Sequence, residues 1–144
     1  MHQLILVTHS PAYREIFHHI RDQPDQPILF HCAGGKDCTG VMAAVILQLA
    51  GYPAHVVARD YTLTGIGVEP VSDFLGQGLD YEKLKASPIA QRGLAGLCSV
   101  HYETMVRFLA YLQDKYEDGA KGYIMTELGF SKEDVEKNKS NLKG

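Results

Sequence analysis

From Thr39 to Ala50 the chain reads Thr-Gly-Val-Met-Ala-Ala-Val-Ile-Leu-Gln-Leu-Ala, with only Thr39 and Gln48 polar. As a helix, this segment is apolar almost all round, so it belongs in an interior and other elements have to wrap it. Gly51 stops it and Pro53 starts the next helix. Just upstream, Ile28-Leu29-Phe30 lies between Pro27 and the glycine pair Gly34-Gly35. Three apolar residues in that setting are too few for a helix and read as one buried strand. A strand, a glycine-rich turn and a buried helix make an α/β unit.

The other segments are mostly helical. Tyr13, Ile16, Phe17 and Ile20 recur at helical spacing from Pro11 to about Arg21, with Ser10 as the expected N-cap. A further helix is expected from Pro53 to about Thr64, with Val57, Tyr61 and Thr64 aligned. Residues 65–98 carry several glycines and little periodicity. Ser99 reads as the cap of an amphipathic helix whose stripe is Tyr102, Met105, Val106, Leu109, Leu112 and Tyr116, ended by Gly119. Ala120–Leu128 gives a shorter helix. Ser131 and Asp134 form a capping box, with Phe130 and Val135 as its hydrophobic staple. Residues 138–144 are polar and read as a frayed tail.

Composition narrows the function classes. A chain of 144 residues fits one domain, here 1–144 with most of the core in 10–137. Hydrophobic residues at 45% and charged residues at 22% exclude a disordered chain. A net charge of −3 gives no basic footprint for nucleic acid or an anionic membrane. The longest apolar run, Val41–Leu47, falls far short of the roughly 20 residues of a transmembrane span, and the opening Met-His-Gln-Leu-Ile-Leu-Val is not a signal peptide. Three cysteines, Cys32, Cys38 and Cys98, cannot all pair, which fits a reducing, cytoplasmic setting.

The chemistry concentrates in His31-Cys32-Ala33-Gly34-Gly35-Lys36-Asp37-Cys38-Thr39-Gly40. A turn feeding a helix N-terminus aims successive N–H groups at one point and makes an anion site from Ala33 to Cys38. A cysteine at the start of such a turn has its thiolate stabilised by the same groups. A thiolate beside a bound phosphate is the layout for phosphoryl transfer through a phosphocysteine.

This stretch resembles HCxxGKDRTG, the signature of cysteine-dependent protein tyrosine and dual-specificity phosphatases of bacteria and fungi. Seven of its eight fixed positions match: His31, Cys32, Gly35, Lys36, Asp37, Thr39 and Gly40. Asp60-Tyr61 with Leu63-Thr64, and Gly122-Tyr123 with Leu128-Gly129 and Ser131, are also similar to that family. The resemblance implies a phosphotyrosine-phosphatase-like, helix-rich α/β fold acting on phosphorylated protein or phosphoinositide without cofactor or metal. By position, it makes Cys32 the nucleophile and has His31 orient the loop. Thr39 assists release of the thiolate, and Lys36 adds positive charge. Asp37 is left with two roles, proton transfer or holding the loop.

The sequence departs from the pattern twice. Cys38 stands where the signature has an arginine that grips two phosphoryl oxygens. The family's upstream strands and acidic loop have no counterpart before Cys32, so the resemblance implies the C-terminal part of a phosphatase domain with an incomplete parallel sheet. Leu4–Val7 offers a second strand by composition, whereas the resemblance makes it a helix end. Two readings follow: a weak phosphatase, or a pseudophosphatase that binds phosphorylated protein or lipid without turnover. Cys38 itself either turns into the core or faces Cys32 across the loop, where oxidation can join the two. Cys98 and Tyr61 read as core residues, Asp60 as either solvated or facing the loop, and His18-His19 as a solvent-facing pair.

Overall fold

The computed structural model describes residues 1–77 and 100–143, the side chains of 68–77 excepted. It contains seven helices among the described residues: α1 (His2–Thr8), α2 (Ser10–Asp22), α3 (Asp37–Ala50), α4 (Ala54–Gln77), α5 (Tyr102–Lys115), α6 (Ala120–Thr126) and α7 (Lys132–Asn141). None is long and apolar enough to cross a membrane.

The apolar helix takes the central place its composition demands. α3 packs against α1, α4, α6 and α7, and Val41, Met42, Ala44, Val45 and Leu49 are buried on it. It starts two residues earlier than expected, and Gly51 ends it in the left-handed conformation that glycine adopts without strain (φ 100°). Gly40 is required where α4 crosses α3, because a Cβ there would sit 2.7 Å from the Tyr61 ring. Tyr61 is core, as expected.

The rest of the body is tied by polar groups that serve helix ends. Tyr123 is wholly buried, and its hydroxyl donates to the Leu6 carbonyl at 2.8 Å. Arg14 Nε donates to the Leu128 carbonyl at 2.8 Å. The Ser131–Asp134 capping box is present in both directions at the start of α7. Arg21 bridges Asp22 and Asp134.

Several expectations need correction. Ile28–Phe30 forms no strand, and no strand occurs among the described residues. Leu29 is 88% exposed and Ile28 is exposed, leaving only Phe30 against the core. A solitary strand has nothing to satisfy its backbone groups. Leu4–Val7 lies inside helix α1, burying Leu6 and exposing Leu4 and Val7. Ser10 is not the N-cap of α2. That place is His9's, and the Ser10 hydroxyl lies 3.0 and 2.9 Å from the carbonyls of Leu6 and Val7, where it serves the end of α1 instead. α4 runs on to Gln77, well beyond Thr64.

The N-cap of α5 is His101 rather than Ser99, which lies outside the described residues, as does Cys98. The α5 stripe is narrower than read: Tyr102 and Val106 are exposed, while Phe108 is buried and meets the His2 ring edge-on. α6 ends at Thr126, ahead of Leu128. The polar tail also starts later than expected. α7 continues to Asn141, whose amide donates to the carbonyls of Ile20 and Arg21 at 2.8 and 3.1 Å and so closes the C-terminus of α2. Asn138 is fully buried. His18 and His19 are half-buried, with His18 against Phe130 and His19 on the Gln26 carbonyl. Asp60 is exposed.

Candidate functional site

Cys32 lies in the irregular segment before α3, and the turn that follows it folds back on it. Gly35 N–H donates to the Cys32 carbonyl at 3.3 Å, and Gly35 takes a positive φ of 60°. Thr39, in the first turn of α3, holds Cys32 twice. Its hydroxyl oxygen accepts the Cys32 N–H at 2.9 Å, and its hydroxyl also hydrogen-bonds the Cys32 sulfur. Burial of Cys32 opposes ionisation. The Thr39 hydroxyl and the N–H groups of Thr39, Lys36 and Gly34 outweigh it and bring the thiol down to about 6. At neutral pH the side chain is mostly thiolate.

Cys38 also faces the site. Its thiol hydrogen-bonds Cys32, and burial and the neighbouring thiolate push it up from its ordinary value. Both cysteines border a cavity of about 110 Å³, together with His9, Tyr13, Phe30 and Thr39. Two larger depressions, of about 270 and 260 Å³, have no cysteine in their walls.

The remaining expected residues divide. His31 is exposed, lines the cavity, and has Nδ1 3.2 Å from the Cys32 carbonyl rather than at the sulfur. Gly34 and Lys36 contribute through their N–H groups. Ala33, Gly34, Gly35, Lys36 and Asp37 do not line the cavity. The Lys36 side chain is buried, its ammonium 3.7 Å from Asp37 Oδ1. Asp37 Oδ1 also lies 3.4 Å from Nε2 of the buried His2. Among the described residues, no group of three or more His, Cys, Asp and Glu side chains is arranged to hold a metal ion.

Three participants were not legible as such. Tyr13 was visible as a core position, but its hydroxyl donates to the Cys38 carbonyl at 2.8 Å and fixes the start of α3. Burial, and then the nearby sulfurs of Cys38 and Cys32, push its ionisation far up, so it remains a donor. His2 stands behind Asp37. His9, at the junction of α1 and α2, places Nε2 3.4 Å from Cys38 Sγ. No spacing in the sequence links His9 to the loop, because only the fold brings the two together.

A profile of the tyrosine phosphatase family matches residues 1–144. The chain belongs to that family. It is 29% identical over 133 residues to a tyrosine-protein phosphatase of Nostoc commune, covering 92% of this chain and 45% of that protein. It is 26% identical over 125 residues to the triple specificity protein phosphatase PtpB of Mycobacterium tuberculosis, covering 83% of this chain and again 45% of the relative. The chain therefore spans a little under half the length of these two relatives. The helix-rich architecture fits the family, and no strand of the expected parallel sheet occurs among the described residues.

Proposed function

We propose that this chain carries the cysteine loop of a phosphomonoester hydrolase and binds the phosphate of a phosphorylated protein or phosphoinositide at Cys32. Cys32 attacks phosphorus, the alcohol or phenol leaves, and water then hydrolyses the phosphocysteine. The observation that supports this reading best is the convergence of the Thr39 hydroxyl and the N–H groups of Gly34, Lys36 and Thr39 on the Cys32 sulfur. The same donors that stabilise a thiolate suit phosphoryl oxygens. In this reading Thr39 stabilises the thiolate when it leaves phosphorus, and Asp37 holds the loop through His2 and Lys36.

Turnover is slow, because Cys38 brings neither a charge nor a fork of donors where the family signature has arginine. The names of the relatives, one a tyrosine-protein phosphatase and the other a triple specificity protein phosphatase, support phosphoprotein as the first substrate class to test. The alternative, capture of a phosphorylated partner without turnover, draws on the same Cys38.

Phosphate release from an aryl phosphate by the natural chain, Cys32→Ser and Cys38→Arg tests the proposal. Slow release that disappears in Cys32→Ser and rises in Cys38→Arg supports it. Release equal in the natural chain and Cys32→Ser overturns the role of Cys32. Phosphate binding without release favours the capture reading.

A further inference from the structure

Between Thr39 and Ala50 the apolar helix carries two polar residues, Thr39 and Gln48. Thr39 serves Cys32. Gln48 stands nine residues on, roughly 13 Å farther along the helix axis, and has no part in the cysteine loop. Its Oε1 is buried and has no hydrogen-bond partner among the described residues. A buried carbonyl oxygen without a donor is costly, and a fold that keeps one calls for an explanation. Gln48 lines the cavity of about 270 Å³ at the far end of α3, where Gly51 stops the helix.

A second amide joins the first over a bare backbone. A Cβ on Gly119 would lie 2.6 Å from Gln113 Oε1 and 3.4 Å from Gln48 Oε1, so only glycine leaves room for both oxygens. Its neighbour Asp118 takes a positive φ of 62°, which is uncommon for a residue with a side chain. Gln113 and Asp118 line the same cavity as Gln48. All three offer oxygen acceptors, and the C-terminal end of α3 adds the negative pole of its dipole. The rest of the polar wall has the opposite sign. It consists of Lys121 from α6 and Lys139 from α7. Lys121 donates one of its three ammonium hydrogens to Glu136 Oε1 at 2.7 Å.

We propose that this cavity binds a free aliphatic α-amino acid, with its ammonium group on Gln48, Gln113 and Asp118 and its carboxylate on Lys121 and Lys139. A simple amine would satisfy the oxygens but face two lysines. A simple carboxylate would suit the lysines but face Asp118 and leave the amide oxygens without a donor. A zwitterion meets both halves of the wall, and its ammonium brings the N–H donors that Gln48 Oε1 lacks. The volume equals about nine waters' share of the liquid, which holds an amino acid of moderate size. Leu49 and Ala120 supply the apolar wall for its side chain. None of these residues belongs to the cysteine loop, so the site stands whether or not that loop turns over phosphate.

Titration of the full chain with L-leucine, followed through the side-chain amide resonances of Gln48 and Gln113, tests this directly. Gln48→Met and Gln113→Met assign those resonances. Both amides are expected to shift and to saturate. Isoamylamine and isocaproate, the amine and carboxylate halves of leucine, are expected to bind more weakly by about tenfold or more, as the loss of charge-assisted hydrogen bonds implies. Gln48→Met keeps the volume and removes the acceptor. Read through the Gln113 amide, it should weaken leucine binding by about tenfold, while its thermal midpoint does not fall, because the oxygen it deletes is unpartnered. Lys139→Met, changed at a half-buried position, should weaken binding to a similar extent. Cys32→Ser should bind leucine as the natural chain does. No saturable shift with leucine overturns the proposal, as does a half-ligand that binds as tightly as leucine. Undiminished binding in both Gln48→Met and Lys139→Met also overturns it, and loss of binding in Cys32→Ser would move the site to the cysteine loop. None of these readouts involves phosphate, so the phosphatase reading can fail while this one stands.

Discussion

Helix α3 and the segment that feeds it are neighbours in sequence and opposites in physical character. α3 is held by a broad buried apolar face with its other residues half-buried, and its neighbours α1, α4, α6 and α7 arrive from the whole length of the chain. The segment from Asp22 to Leu29 is exposed throughout, and the loop after it is positioned by hydrogen bonds onto α3 together with only Phe30 and the buried Lys36 side chain. Burial is tolerant of detail, since many apolar sequences would fill the same space. A converging set of N–H donors is not tolerant, because each donor serves only at one distance and direction. The body therefore sets where the helix N-terminus stands, and the loop sets what it does.

That contrast can be broken at the loop with little effect on the body. On the proposed chemistry, Cys38→Arg should raise aryl-phosphate hydrolysis by roughly 10³–10⁵, the value of a transition-state arginine, or about 4–7 kcal/mol of barrier. Its thermal midpoint should stay close to that of the natural chain. A large loss of stability without any gain in rate would show that loop and body are not separable here.

The reverse experiment attacks the body. Phe17 is wholly buried and meets Phe130 at 6.2 Å between ring centroids. Phe17→Ala should cost about 3–5 kcal/mol of stability in chemical denaturation. In whatever fraction stays folded, the reactivity of Cys32 should be unchanged.

The charge state of Cys32 connects the two regions and gives a pH signature. Folding lowers this thiol from its ordinary value of 9.0 to about 6. Between those values the unfolded chain binds the extra proton, so stability rises with pH across the window. The thiolate's contribution is complete above about pH 9 and drains away as pH falls through 6. Melting curves of the natural chain and Cys32→Ser should diverge from pH 6 to pH 9 in favour of the natural chain. Thr39→Ala should move the midpoint of Cys32 alkylation upward. A midpoint that does not move would mean that the loop N–H groups suffice alone.

The smallest effect expected is at the far end of the chain. Ser131→Ala removes the α7 cap and should cost about 1 kcal/mol, with no change at Cys32. It measures how little the loop senses a local loss in the body.

The parts legible in the sequence were those set by local rules. The all-round apolar pattern of Thr39–Ala50 announced a central helix, Gly51 its end, and Ser131 with Asp134 a capping box. The turn into α3 was legible because two glycines before a helix N-terminus state a local backbone arrangement. Misread positions depended on partners far away in sequence. Ile28–Phe30 looked like a strand by composition, but pairing is a property of two segments. Ser10 looked like a cap, yet it faces back onto the helix that ends just before it. Asn138 and Asn141 looked like a solvated tail, and the carbonyls of α2 and α7 that receive their amides gave no local signal. His9 escaped for the same reason, since its chemistry comes from a contact across twenty-nine residues.

The exposed link from Asp22 to Leu29 also divides the site between two pieces of chain. Residues 1–22 bring His9 and Tyr13, and everything after the link brings Cys32, Cys38 and Thr39. The first piece is clamped to the second by polar bonds from Tyr123, Arg14 and Asn141 as well as by Leu6, Tyr13 and Phe17 in the core. A nick in the link would sever none of these bonds. The two cysteines and the imidazole beside Cys38 thus belong to a noncovalent assembly that happens to be written as one polypeptide, and the surroundings of Cys38 are a measure of whether the two pieces are docked.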